Sequence, residues 1–186
     1  MITIVSGLPR SGTSMMMQLL DAGGIPLLVD GQRGADDDNP KGYCEFERVK
    51  QLKSDASWMG EAEGKAVKVI AQLLTSLPSK YTYKIIFMRR DLDEVLQSQA
   101  TMLQRNGKAG ANIPQEQLKR VFENQVTQVT AFLQGQDNME TLYVDYAAIL
   151  QDPPSYLRQL SDFLGQPLDQ EKMSTVIDPA LYRNRS

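Results

Sequence analysis

The sequence has no histidine and a single cysteine, Cys44, among its 186 residues. The first absence excludes Ser-His-Asp and Cys-His catalysis, along with the usual histidine-containing zinc sites. Any general base is therefore a carboxylate or a lysine. The second excludes an intrachain disulfide, leaves a thiol nucleophile without its partner and favours a reducing compartment. No apolar run approaches the ~20 residues of a membrane-spanning helix, and no basic region followed by an apolar stretch opens the chain. A soluble, cytoplasmic protein without a transmembrane segment is expected. Twenty Lys and Arg against twenty-three Asp and Glu leave a net charge of -3, which removes the broad basic field that nucleic-acid binding relies on. Any anion site has to be local. What is present is ordinary: 41% hydrophobic and 23% charged residues, the composition of one packed domain, taken as residues 1–186.

Strand and helix patterns alternate along the chain. Ile2 to Ser6 is a β-branched run that reads as a buried strand, and Ser11 to Asp21 follows as a helix with Met15, Met16, Leu19 and Leu20 on one face. Pro26 to Val29 reads as a weaker strand, and Asp30 to Tyr43 as a long polar loop. Glu45 to Asp55 fits a helix, Lys65 to Ile70 a third strand, and a short helix ends before Pro78. Tyr83 to Met88 is the clearest strand, running into Arg89-Arg90 and a helix from Asp91 to about Gln104. A Gly-rich loop, a helix from Gln115 to Gln134, a strand at Thr141 to Val144 and a helix from Pro153 to Leu164 complete the pattern. Such alternation predicts an α/β fold, a three-layer α/β/α domain with a mainly parallel sheet, in which sites form at the carboxyl ends of the strands.

Gly7-Leu8-Pro9-Arg10-Ser11-Gly12-Thr13-Ser14 lies between the first strand and the first helix, where a phosphate cradle belongs. Glycines permit the tight turn, the freed N–H groups point inward, and the helix start adds about half a positive charge. The Gly7 to Gly12 spacing matches the nucleotide-binding loop G-x-x-x-x-G-K-S/T, but Thr13 stands where its lysine belongs. The nearest cation is Arg10. The bland alternative is a strand-to-helix turn carrying a solvated arginine.

Pro9-Arg10-Ser11-Gly12-Thr13-Ser14 resembles the 5′-phosphosulfate loop of sulfotransferases, which bind 3′-phosphoadenosine 5′-phosphosulfate (PAPS) and release 3′-phosphoadenosine 5′-phosphate (PAP). Arg90 and Ser98, eight positions apart, are similar to the family's 3′-phosphate motif, with Leu92 in place of the usual proline. Two turns of helix bring such a pair onto one phosphate. Tyr143-Val144-Asp145, Asp152-Pro153 and Leu157 to Gly165 resemble the family's tail. This resemblance covers nearly the whole chain and implies a P-loop NTPase-like fold. It also implies transfer of a sulfuryl group from PAPS to an unknown hydroxyl or amine, without a metal. The loop would hold the 5′-phosphosulfate, Arg90 with Ser98 the 3′-phosphate, and Lys68 would assist the leaving oxygen.

Where common family members carry a histidine base, this chain has Ile70, two residues beyond Lys68. Asn39-Pro40-Lys41-Gly42-Tyr43-Cys44-Glu45 is similar to a segment of bacterial members and makes Glu45 the first candidate base. Glu47 is the second, and both equally fit the first turn of a helix, where acids stabilise the dipole. Arg183 and Arg185 would close over the 3′-phosphate or lie in a solvated tail. Asp145 fits a helix cap better than a magnesium ligand, and Asp36-Asp37-Asp38 fits a solvated loop. Trp58 fits pocket lining and packing equally; Met15, Met16 and Met17 fit core contacts. Two other functions remain open: a P-loop kinase or nucleotidase using a magnesium nucleotide, and a non-catalytic PAP-binding module.

Overall fold

The computed structural model describes residues 1–32, 34–36, 39, 42–105, 107 and 113–178. Four strands form one sheet: β1 (Ile2–Gly7), β2 (Ala66–Lys68), β3 (Tyr83–Arg89) and β4 (Met139–Asp145), in the order β2-β1-β3-β4. Every pairing is parallel, with Ile4 opposite Val67 and Ile85, and Ile85 opposite Thr141. All of β1 is buried, so Ile2, Ile4 and Val5 point to both faces without the strict apolar–polar alternation of a one-sided strand, as strands covered on both faces do.

Side chains alternate across the sheet and divide the core in two. Ile2, Ile4, Val67, Ile85 and Phe87 face a cluster containing Trp58, Leu74, Val129 and Leu133. Val5, Ile86, Met88 and Val144 face the other way, onto Met16, Leu19, Leu20, Ile149 and Leu160. The first layer is built from α3 (Gln115–Gln134) and three 3₁₀ segments, Glu47–Gln51, Ser57–Ala62 and Ala71–Ser76. The second is built from α1 (Thr13–Ala22), α4 (Tyr146–Gln151), α5 (Pro153–Leu164) and α6 (Gln170–Val176). A third, small cluster joins Leu8 of the first loop to Val95 and Leu96 of α2 (Leu92–Arg105) and Phe122 of α3. That cluster docks α2 beside the carboxyl ends of β1 and β3.

The three-layer parallel architecture agrees with the alternation in the sequence, and three local expectations are corrected. Pro26 to Val29 forms one bridge, Leu27 to Ala66, rather than a strand. Pro26 has no N–H to donate to a ladder, and Val29 is already 42% exposed. Glu45 to Asp55 is not a helix: a single 3₁₀ turn spans Glu47–Gln51, because Cys44 has φ 50 and Phe46 is extended. Val49 within the turn and Leu52 just after it are buried and lie three apart, the repeat of a 3₁₀ turn. The strand expected over Lys65 to Ile70 shortens to Ala66–Lys68. Two short helices carry no period long enough to announce them, α4 and α6. The first starts where Asp145 accepts the Ala148 N–H at 2.9 Å, the cap expected for Asp145.

Candidate functional site

The loop from Gly7 to Gly12 turns through left-handed backbone at three positions: Gly7 with φ 149, Arg10 with φ 69 and Gly12 with φ 95. Gly12 has a second reason to be glycine. A Cβ there would stand 2.4 Å from Cδ2 of Tyr146, so the loop backbone packs directly against that ring. Arg10 holds its conformation despite its side chain, and such strain persists only where surrounding contacts impose it. The Ser11 hydroxyl donates to the Leu8 carbonyl at 2.7 Å and its amide to the same oxygen at 3.2 Å. Ser11 therefore braces the loop from behind, and its amide is not turned to an anion. Pro9, Arg10, Gly12, Thr13 and Ser14 line the adjoining cavity, where the first N–H groups of α1 lack intrahelical acceptors.

Arg10 and α2 meet at one corner. The Arg10 Nε donates to Ser98 Oγ at 3.0 Å and its Nη1 approaches the Met102 sulfur at 3.9 Å. Arg90 lies behind this pair: its Nε donates to Glu94 Oε2 at 2.9 Å and its Nη1 to the Arg10 carbonyl at 3.1 Å. The Arg90 guanidinium also sits 4.8 Å from the centre of the Tyr146 ring. The Arg90 and Glu94 side chains are only 8% and 4% exposed, so this is a buried ion pair between the residue after β3 and the first turn of α2. The sequence separates Arg10 and Arg90 into two phosphate sites. In the fold they form one cluster, with Arg10 reaching Ser98.

A second group forms at the end of β2. Lys68 donates from Nζ to Ser14 Oγ at 3.0 Å and to the Tyr43 carbonyl, and its Nζ lies 3.8 Å from Glu45 Oε1. It joins the first turn of α1 to the candidate base. The two glutamates are separated here. Glu45 precedes the 3₁₀ turn, whereas Glu47 lies in its first residue and pairs with Lys50 at 2.6 Å, on a more exposed surface. The segment carrying Glu45 is tied down by Tyr43, whose hydroxyl donates to Asp36 at 2.8 Å, and by Gln18, whose amide donates to the Gly42 carbonyl at 3.1 Å. Burial pushes the Cys44 thiol above its ordinary pKa, and the Lys68 charge offsets part of that rise.

Both groups line one cavity of about 430 Å³, within the usual range of ligand sites. Its cations are Arg10, Lys50, Lys68, Arg90 and Arg105, against Glu45, Glu47 and Asp178. An acidic chain thus keeps a local surplus of positive charge here. Beyond Glu45 the wall becomes apolar, with Phe46, Val49, Ile70 and Leu73. Ile70 is 42% exposed.

Trp58 is fully buried and packs edge-on against Phe46, with ring centres 5.3 Å apart, away from the cavity lining. Met16 and Met17 are core residues, as expected, while Met15 reaches the cavity. Asp36 serves Tyr43; Asp37, Asp38, Arg183 and Arg185 lie outside the described residues. Among the described residues no three His, Cys, Asp or Glu side chains gather as a metal site, and no helix is long and apolar enough to cross a membrane. Sequence reasoning missed Glu94 and Tyr146. An i,i+4 spacing from Arg90 signals the first, whereas nothing local signals that the Tyr146 ring backs Gly12.

Known proteins share this fold. Solved structures with the same fold include a sulfotransferase from Mycobacterium tuberculosis H37Rv, with TM-score 0.64 and 15% identity over 97% of this chain and 73% of the other. A mouse sulfotransferase complexed with PAP gives TM-score 0.56 and 10% identity over 100% of this chain and 66% of the other. Retinol dehydratase in complex with androsterone and inactive cofactor PAP gives TM-score 0.54 and 17% identity over 96% of this chain. This chain spans 63% of the retinol dehydratase chain. No curated protein matches significantly. The sulfotransferase domain matches residues 2–185. With a match over almost its entire length and the parallel P-loop NTPase-like fold of these structures, the chain belongs to the sulfotransferase domain family.

Proposed function

We propose that residues 1–186 act as one nucleotide-binding domain that transfers a sulfuryl group from PAPS to a hydroxyl or amine acceptor. The observation that carries this function is Lys68, which contacts Ser14 of the phosphate loop and also stands 3.8 Å from Glu45. The donor set suits PAPS. The backbone from Gly12 to Ser14 and the start of α1 suit its 5′-phosphosulfate, and Arg10, Ser98 and Arg90 suit its 3′-phosphate. When bound, PAPS supplies the sulfuryl group and a phosphate leaving group.

The chain's own residues supply the rest. Sulfuryl transfer resembles phosphoryl transfer in needing an aligned acceptor and neutralised charge on the leaving oxygen. Lys68 provides that positive charge next to the loop. Glu45, 3.8 Å from the Lys68 Nζ, takes the acceptor proton. Glu47 is engaged by Lys50 and keeps its helix-start role. The apolar wall of Phe46, Val49, Ile70 and Leu73 favours an acceptor whose reactive group is carried on a hydrocarbon or aromatic body.

Calorimetric titration with PAP, alongside ATP plus magnesium, tests this function. Micromolar binding of PAP that Arg10→Ala removes is the expected result. Binding of ATP alone moves the chain to phosphoryl transfer, and binding of neither overturns the nucleotide site. Tight PAP binding without sulfate transfer to any phenol or alcohol leaves a PAP-binding module.

A further inference from the structure

Glu94 takes no part in the chemistry above, yet its side chain is 4% exposed and faces Arg90 inside the fold. A carboxylate withdrawn from water is costly unless its partner is well placed. Here Glu94 accepts the Arg90 Nε–H at 2.9 Å while Asp91, one turn earlier, caps the helix start by accepting the Glu94 N–H at 3.1 Å. Arg90 is thereby fixed in the plane from which its Nη1 donates to the Arg10 carbonyl. Arg10 has φ 69, and its guanidinium reaches Ser98. One chain of contacts therefore runs from Glu94 through Arg90 to the strained residue of the loop, and from that residue's side chain back to α2. Four residues tie the phosphate loop to the helix that carries Ser98.

We infer that Glu94 is a positioning residue for recognition of the nucleotide's 3′-phosphate: it orients Arg90 and, through the Arg10 carbonyl, sets the Arg10 guanidinium against Ser98. This inference rests on the assignment of that corner to the 3′-phosphate. It predicts an effect confined to ligands that carry the group. PAP and adenosine 5′-monophosphate differ by the 3′-phosphate alone, so the ratio of their affinities reports on this corner and cancels general damage to the loop.

Both nucleotides are titrated calorimetrically into the full chain and into Glu94→Gln, which keeps the size of the side chain and removes its charge. The expected result is a fall in PAP affinity of about tenfold or more, the scale of a charge-assisted hydrogen bond, with adenosine 5′-monophosphate affinity within about twofold of the parent. Glu94→Asp, which keeps the charge and shortens the reach, gives a smaller fall in the ratio and carries the test if Glu94→Gln does not fold. An unchanged ratio in a folded variant overturns the inference, and equal losses for both nucleotides reduce Glu94 to a structural residue and overturn it as well. Failure of the parent chain to bind PAP overturns the function itself, an outcome distinct from either.

Discussion

The two ends of the cavity are built differently. At the end near α2, three charged side chains act in series: Glu94 holds Arg90, Arg90 holds the Arg10 carbonyl, and Arg10 holds Ser98. At the Lys68 end main-chain acceptors share the work, the Tyr43 carbonyl with Lys68 and the Gly42 carbonyl with Gln18, beside the contacts of Lys68 with Ser14 and Glu45. The first end is a preformed, partly buried network that suits a fixed, highly charged ligand. The second positions one carboxylate and one ammonium beside an apolar wall. On the proposed function binding and chemistry separate in space, so substitutions at the two ends are expected to separate in their readouts.

The largest expected effect is on turnover. Glu45→Gln removes the candidate base and lowers kcat by about 10²–10⁴, while PAP affinity stays within about twofold. Glu47→Gln leaves both nearly unchanged, because that carboxylate pairs with Lys50. Steady-state sulfate transfer to a phenolic acceptor measures both; equal losses from the two variants would remove the distinction between these glutamates. Lys68→Met is expected to lower kcat by about 10²–10³, the scale of one lost electrostatic contact to developing charge. If Lys68→Met instead lowers PAP affinity as much as kcat, the two ends are one site and the comparison breaks.

Gly12→Ala tests the nucleotide end through stability. Left-handed backbone costs a non-glycine residue about 1–2 kcal/mol, and overpacking adds about 1–3 kcal/mol, here from a Cβ 2.4 Å from the Tyr146 ring. Thermal unfolding of the free protein should show this loss, with PAP affinity falling in parallel. Tyr146→Ala removes the clash but deletes a buried aromatic ring, a loss of about 3–5 kcal/mol by itself. The informative quantity is therefore the further cost of Gly12→Ala in that background, which should shrink by the overpacking part and keep the backbone part. No further cost in that background would mean that the backbone conformation matters little.

These ends were not equally legible in the amino-acid sequence. β1 and β3 announce themselves because both faces are covered and each carries a run of bulky residues, Ile2 to Val5 and Ile85 to Met88, broken by few polar ones. The loop is legible because glycines at fixed spacing between a strand and a helix have few other uses. The assignment of Arg10 to the phosphosulfate end alone was not settled by spacing, since its side chain crosses to Ser98, 88 residues away. Likewise, Glu45 and Glu47 differ by two positions and look equivalent, until the φ of Cys44 starts the 3₁₀ turn after Glu45 rather than before it. The wall of Phe46, Val49, Ile70 and Leu73 joins two segments that only the sheet brings together. Spacing reveals contacts within an element; these contacts lie between elements.

The smallest effects concern two caps that share a chemistry and differ in place. Asp145 starts α4, whose first residue, Tyr146, backs Gly12, whereas Asp152 starts α5. Asp145→Ala should cost about 1 kcal/mol, or about 2–4 °C in Tm for a chain of this size, together with a modest loss of PAP affinity. Asp145→Asn keeps the capping oxygen and should restore both; loss of activity in Asp145→Asn with unchanged Tm would favour the rejected magnesium role. Asp152→Ala should lower Tm without touching affinity. The Ser155 hydroxyl, then its N–H, hold the Asp152 carboxyl below the ordinary carboxylate range. Because the folded pKa is the lower one, the stabilisation is fully present above the ordinary range and is lost as pH falls through the lowered value. The Tm gap between Asp152→Ala and the parent should therefore be constant near neutrality and close in acid, with PAP affinity the same in both proteins. A gap that persists in acid would mean that the ionised carboxylate is not what holds the start of α5. A loss of PAP affinity in Asp152→Ala would show that the nucleotide end draws on the second layer more widely than through Tyr146.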